Sequence, residues 1–269
     1  MSIFTLGPEG TYAHQAALKY FPEGSINFLD SIGEVFDMIS SEKNGYGIIP
    51  LENMIEGTVR ETLDLLYETE VKIWDLVTLP VHHCLASTSE EFEIITSHKQ
   101  ALAQCRGYLK ENYKKKRIQA VNSTAEATKL ASEHAGLAAI CSPFAAEKYG
   151  LTILEENIED FSNNQTVFAV IHGKLNPDQH LKTSIAITPE KDEPGLLVKM
   201  LYPFQENEVN MTRLESRPEK STMNKYIFFI DFEGDFRQAR ARKIFTYLEK
   251  DLGLCSIKVL GGQTSSPDQ

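Results

Sequence analysis

Short apolar runs alternate with amphipathic segments that open on a helix-capping residue, and this rhythm persists through residues 1–170. Ile3–Leu6, Gly45–Pro50, Ile94–Thr96, Ile118–Val121 and Leu137–Cys141 read as strands. Between them, Thr11 is placed to cap a helix running to about Tyr20. Ser31 with Glu34, Thr58 with Glu61 and Ser123 with Glu126 have capping-box spacing. Ser142-Pro143 opens a further helix, and Gly150 closes it at the C′ position. Strands and helices in strict alternation argue for parallel α/β sheets.

Leu76–Ala86 is extended and apolar and carries Pro80, which suits a crossover between two lobes. A second crossover falls near Ile158–Thr166. Two crossing segments between two α/β lobes make a hinged cleft. Ligands of open α/β sheets bind beyond the carboxyl ends of strands, which singles out the turns after Leu6, Pro50 and Val121. Residues 173–179 are polar with a proline and read as a linker. Beyond it the expected order is strand (Thr183–Thr188), helix (Pro194–Gln205), strand (Val209–Ser216), strand (Lys225–Phe232), helix (Phe236–Asp251) and strand (Cys255–Val259). That is the β-α-β-β-α-β order of ferredoxin-like domains. Thr264–Gln269 reads as a frayed tail.

Lys+Arg 27 against Asp+Glu 38 gives a net charge of −11, which disfavours nucleic acid and anionic membranes as partners. No apolar run reaches the roughly 18 residues of a membrane span. The N-terminus has neither a basic n-region nor a long apolar h-region, so a cytoplasmic location is expected. Cys84, Cys105, Cys141 and Cys255 are too far apart for a metal knuckle or a CxxC pair and read as reduced, mostly buried thiols.

Four segments have the residue types of a polar-ligand site. Gly7-Pro8-Glu9-Gly10-Thr11 combines two glycines, a hydroxyl and a helix N-terminus, the parts of an anion site or of a tight structural turn. Residues 47–58 run from an apolar strand into a polar turn, where Asn53 offers both donors and acceptors. Asn122-Ser123-Thr124 sets two hydroxyls at a helix start, where Ser123 either caps the helix or faces a carboxylate. Asn163-Asn164-Gln165-Thr166 leads into a strand whose alternation puts Thr166, Phe168 and Val170 on one face and Val167, Ala169 and Ile171 on the other.

In their order along the chain these segments resemble the prephenate dehydratase family. Gly7–Thr11 with His14, Ile49–Leu66 with Glu52-Asn53 and Thr62-Leu63-Asp64, Ser97–Cys105, Ser123-Thr124-Ala125, Ala145–Leu151 and Thr166-x-Phe168 carry the resemblance. Pro194–Val198, Asn210 and Glu215-Ser216-Arg217-Pro218 extend it to a C-terminal ACT regulatory domain. The resemblance implies an α/β fold: a two-lobed, periplasmic-binding-protein-like catalytic domain over 1–175 and a ferredoxin-like ACT domain over 181–262. Lobe 1 would be about 1–78 with 158–175, and lobe 2 about 79–157. It also implies a monofunctional enzyme.

The implied reaction turns prephenate into phenylpyruvate, carbon dioxide and water, without metal or organic cofactor. The resemblance makes Thr166 the proton donor and assigns substrate binding to Gly10, Thr11, Asn53, Ser123, Thr124 and Phe168. Feedback inhibition by L-phenylalanine would use Gly195, Leu196, Leu197, Asn210 and Glu215, Ser216, Arg217 and Pro218, in a homodimer or homotetramer. Arogenate dehydration and a catalytically weakened phenylalanine sensor are the alternatives. Two departures stand out: Val167 replaces the usual arginine and Met54 the usual serine. Arg60, Arg106, His82 or His83 are the candidates to supply the missing charge.

Overall fold

The computed structural model describes every residue except 43, 191–192, 220–225, 252–254 and 265–269, and leaves out the side chains of residues 251 and 255. The expectations for the Cys255 thiol, for Lys225 as the first residue of a strand and for the tail beyond Thr264 therefore lie outside the described residues. Contacts group the chain into two compact units, residues 1–62 with 77–169 and residues 63–76 with 170–269. No helix among the described residues is long and apolar enough to cross a membrane.

In chain order the elements are β1 (Ser2–Leu6), α1 (Tyr12–Tyr20), β2 (Ser25–Leu29), α2 (Ile32–Ser41), β3 (Tyr46–Asn53), β4 (Gly57–Thr58), α3 (Arg60–Glu68), β5 (Lys72–Pro80), β6 (Cys84–Ser87), β7 (Ile94–His98), α4 (Lys99–Gln104) and α5 (Arg106–Asn112). They continue with β8 (Arg117–Val121), α6 (Thr124–Glu133), β9 (Leu137–Cys141), α7 (Pro143–Lys148), β10 (Thr152–Glu155) and β11 (Gln165–His172). Then come β12 (Lys182–Pro189), α8 (Leu196–Glu206), β13 (Met211–Pro218), β14 (Tyr226–Glu233), α9 (Ala239–Thr246), a π-helical turn (Tyr247–Asp251) and β15 (Cys255–Gln263). Strands β5 and β11 and helix α3 each run from one unit into the other.

The first unit holds two sheets. In one, β1 lies between β2 and β3 and is parallel to both, and β11 borders β3 on the far side. In the other the order is β10-β6-β9-β7-β8, with β7 parallel to β8 and β9. The alternation of apolar runs fixes this arrangement: Ile3, Val35, Ile48 and Ile49 are wholly buried, as are Leu85, Ile95 and Ile140 of the second sheet. Each such side chain contributes roughly 1.5–3 kcal/mol by leaving water.

Four of the expected caps form. The hydroxyls of Thr11, Ser31, Ser123 and Ser142 accept the backbone N–H of His14, Glu34, Glu126 and Ala145. Each such bond is worth about 1 kcal/mol. The fifth expectation needs correcting. Thr58 does not cap α3, because it sits in β4, paired with Glu52 of β3, and the helix starts two residues later at Arg60.

In the second unit the strand order is β13-β14-β12-β15, with α8 and α9 packed on a core of Ile185, Ile187, Met200, Phe204, Ile230, Phe232 and Ile244. β12 is antiparallel to both β14 and β15. β15 runs to Gln263, four residues past the expected Val259. There Gly261 pairs with Ile73 in the first half of β5. Only glycine fits at 261: φ is +124°, and a Cβ would lie 2.0 Å from the Ile73 carbonyl oxygen. The helix expected over Phe236–Asp251 starts at Ala239 and closes in the π-helical turn.

Candidate active site

A cavity of about 420 Å³ opens in the first unit at the carboxyl ends of its parallel strands. Leu6 and Gly7 follow β1, Pro50 and Asn53 end β3, His98 ends β7, and Asn122, Ser123 and Thr124 follow β8. Thr166 and Phe168 project from β11 into the same space, as period-2 alternation requires. Val167 is absent from the lining.

Asn53 organises the floor. Its Oδ1 accepts the backbone N–H groups of Ile55 (3.0 Å) and Glu56 (3.1 Å). Those two donors fix the amide orientation, so Nδ2 must face the other way. There it donates to Thr166 Oγ1 at 2.9 Å, with Asn164 Oδ1 (3.0 Å) and the Gln165 carbonyl (3.2 Å) sharing its two hydrogens. Because Thr166 Oγ1 accepts from Asn53, its own proton is left to donate elsewhere.

Glu159 anchors the His82-His83 segment, whose His83 lines the cavity. Burial pushes its carboxyl upward, but bonds from the His82 ring (2.8 Å) and the His83 N–H (2.9 Å) outweigh this and hold it below its ordinary value. Burial lowers the pKa of His83, whose Nε2 lies 2.8 Å from Gln104 Oε1. The Tyr12 hydroxyl donates to the His82 carbonyl oxygen at 2.5 Å, and burial raises its pKa.

The structure brings Thr11, Asn53, Ser123, Thr124, Thr166 and Phe168 to one cavity. Gly10 stands apart from these. It is not on the wall; its N–H donates to Nδ1 of the buried His14 at 3.1 Å, and its φ is +87°. Thr11 lines the cavity, but its proton is committed to the Leu6 carbonyl oxygen at 3.2 Å. Ser123 both caps α6 and faces the cavity. Of the four candidates for added charge, only His83 is on the wall; Arg60, Arg106 and His82 are not. Met54 is 64% exposed and off the wall, so its bulk does not enter the cavity.

Tyr12, His98, Gln100, Gln104, Asn122 and Asn164 also line the site, beyond the residues named from the sequence as binders. A signal existed for two of them. His98 and Gln100 follow a parallel strand, as the turns after Leu6, Pro50 and Val121 do. Among the described residues no group of three or more His, Cys, Asp or Glu side chains is arranged to hold a metal ion.

In the second unit, Gly195 is the N-cap of α8 with φ +82°. Leu196 packs into the core, whereas Leu197 is 38% exposed. Asn210 donates to Glu233 Oε1 at 3.0 Å and lines a separate cavity of about 200 Å³ with Val209, Phe232 and Gly234. That cavity does not include Gly195–Leu197. On β13, Glu215 and Arg217 share one face, and Ser216 and Pro218 are exposed on the other. Arg217 pairs with Asp64 of α3 at 2.8 Å.

A family model described as prephenate dehydratase matches residues 3–176. A prephenate dehydratase of Methanocaldococcus jannaschii is 40% identical over 259 residues, spanning 92% of this chain and 93% of its own length. A bifunctional chorismate mutase/prephenate dehydratase of Aquifex aeolicus is 40% identical over 261 residues, 95% of this chain and 71% of that protein. The crystal structure of a prephenate dehydratase from Arthrobacter aurescens in complex with L-Phe matches with a TM-score of 0.88 at 25% identity. The match covers 100% of this chain and 92% of that one.

Proposed function

The chain belongs to the prephenate dehydratase family of decarboxylating lyases, and we propose that it converts prephenate to phenylpyruvate with Thr166 as the proton donor and L-phenylalanine as feedback inhibitor. Prephenate is a dianion with one ring hydroxyl. Its C–O bond to that hydroxyl breaks while the electron pair of the ring C–CO₂⁻ bond moves into the ring. The leaving oxygen takes one proton, and water, CO₂ and the aromatic product result.

The observation that carries this reading is the 2.9 Å bond from Asn53 Nδ2 to Thr166 Oγ1. A threonine hydroxyl is a weak acid at neutral pH. It serves only if its proton moves as negative charge grows on the leaving oxygen. The Asn53 donor meets the charge left on Oγ1, and because Asn53 is locked by two backbone N–H groups it needs no reorganisation. Thr166 regains its proton from solvent. Neutral donors at the starts of α1 and α6 hold the carboxylates, and the low polarity of a cavity walled by Leu6, Val59, Val81 and Phe168 favours loss of the ring carboxylate.

The regulatory half is an ACT domain over 181–262, and the catalytic half a two-lobed, periplasmic-binding-protein-like domain over 1–175. Lobe 1 takes about 1–78 and 158–175, and lobe 2 about 79–157. The β-α-β-β-α-β order and the strand order β13-β14-β12-β15 support the ACT reading. Gly195, Leu196, Leu197, Asn210 and Glu215–Pro218 remain its phenylalanine-binding and coupling residues. As the resemblance implies, phenylalanine binds between paired ACT domains, in a homodimer or homotetramer. The enzyme acts in the cytoplasm.

The test is phenylpyruvate formation from prephenate by the purified chain, with and without L-phenylalanine. Turnover that phenylalanine suppresses is the expected result. No turnover, or turnover indifferent to phenylalanine, removes the catalytic or the regulatory half respectively.

A further inference from the structure

A dianionic substrate ordinarily meets arginine or lysine, yet none of the described residues lining this cavity is either, and the Glu56 carboxylate stands at its rim. The wall must therefore hold carboxylates with neutral donors, and His98 is the one best prepared. It is the N-cap of α4, and its Nδ1 accepts the Gln100 N–H at 3.4 Å. A nitrogen that accepts from a backbone N–H carries no hydrogen, so in the neutral ring the proton is on Nε2. No described residue takes up that proton.

The sheet register says what lies next to it. His98 pairs with Val121 across the parallel β7–β8 ladder. The turn after Val121 is Asn122-Ser123-Thr124, at the N-terminus of the ten-residue helix α6. Ser123 Oγ is engaged by the Glu126 N–H (3.0 Å), whereas no described residue bonds to the Thr124 hydroxyl. Imidazole N–H, threonine hydroxyl and the first turn of α6 thus stand side by side at two adjacent strand ends of one wall.

The chemistry decides which carboxylate belongs there. One of the two leaves as CO₂, and donors that bind it strongly in the ground state oppose its departure. The other, on the pyruvyl side chain, keeps its charge from substrate to product. We propose that His98 Nε2–H, Thr124 Oγ and the α6 N-terminus seat the pyruvyl carboxylate, the one that survives the reaction. This rests on the dehydratase reading.

The consequence is that substrate and product share the seat. In His98→Asn, which keeps a capping acceptor but loses the distal N–H, the KM for prephenate and the inhibition constant of phenylpyruvate should rise together, by about tenfold, while kcat falls less than threefold. His98→Gln, which restores a distal N–H, should recover most of the loss in both. Thr124→Val should show the same paired rise and covers the case of a poorly folded His98 variant. A rise in KM with phenylpyruvate unaffected would place the departing carboxylate at His98 and overturn the assignment. So would a loss confined to kcat, or no change. If the wild type does not turn over prephenate, the dehydratase reading fails by itself. Phenylpyruvate binding by calorimetry still decides on His98: a weaker Kd in the variant supports the seat, and an unchanged Kd removes it.

Discussion

Replacing Asn53 by aspartate changes one atom and reverses a hydrogen bond. The retained oxygen still accepts from the Ile55 and Glu56 N–H groups, so the turn after β3 keeps its anchor. The new oxygen stands where Nδ2 stood, facing Asn164 Oδ1, the Gln165 carbonyl and Thr166 Oγ1 at 2.9–3.2 Å. Of these three, the Thr166 hydroxyl holds a hydrogen of its own and turns to give it to the new carboxylate. The proton donor is then occupied, and the charge that develops on Oγ1 meets an anion. Losing the two Nδ2 hydrogen bonds costs about 2 kcal/mol of stability, at about 1 kcal/mol each. That leaves a chain of ordinary stability folded. Loss of general-acid catalysis costs roughly 10²–10⁴ in rate, about 3–5 kcal/mol in the barrier. Steady-state phenylpyruvate formation should therefore show kcat down at least a hundredfold, with a melting temperature only modestly lower. An Asn53→Asp enzyme within threefold of the wild-type kcat would refute the role given to this bond.

Three further outcomes follow from the same geometry. Met54→Ser and Val167→Arg, which install the family's usual residues, should each change kcat/KM by less than threefold, because neither position is on the cavity wall; a tenfold gain from either would show an impaired site. Asp235 in the second unit provides a pH prediction. Burial pushes its carboxyl up, but the Arg237 guanidinium and the N–H groups of His180 (2.8 Å) and Arg237 (2.7 Å) outweigh this and hold it well below the usual carboxylate range. A depressed folded pKa gives stability that is present above the unfolded value of about 3.9 and is lost as pH falls toward the folded one. Asp235→Asn should cost about 2 kcal/mol at pH 7, and denaturant curves of variant and wild type should converge as the pH drops below about 4; a constant difference would contradict this.

The parts of the fold that could be read in advance are those governed by local chemistry. Thr11, Ser31, Ser123 and Ser142 cap because a hydroxyl before an apolar stripe satisfies a backbone donor whatever the fold. Thr58 has the same spacing but loses to a tertiary competitor, the β3–β4 ladder. β2, with the sequence Ser-Ile-Asn-Phe-Leu, escaped notice because it has no fully buried residue and draws its stability from pairing with β1. The extension of β15 to Gln263 rests on its pairing with Lys182–Ser184 of β12 and on Gly261 reaching Ile73, 188 positions earlier in sequence, which no local pattern encodes. At the site, Asn53 and Thr166 carried their chemistry in residue type. The link between them spans 113 positions and appears only once β3 and β11 are neighbours. At Gly10 the sequence is ambiguous, because a glycine before a helix suits an anion as well as it suits the buried His14. The place of His98 at the end of a parallel strand is legible, but its role depends on which ring nitrogen is engaged, a property of three-dimensional contact.

The most direct measurement of the role of Thr166 is kcat for Thr166→Val on prephenate. Valine keeps the shape of threonine and removes only the hydroxyl, leaving the carboxylate-binding wall in place. The account predicts a fall of at least a hundredfold in phenylpyruvate formation with the KM for prephenate changed by less than about threefold. A Thr166→Val enzyme that retains more than a third of the wild-type kcat would contradict it and send the search for the proton donor to another residue of the wall.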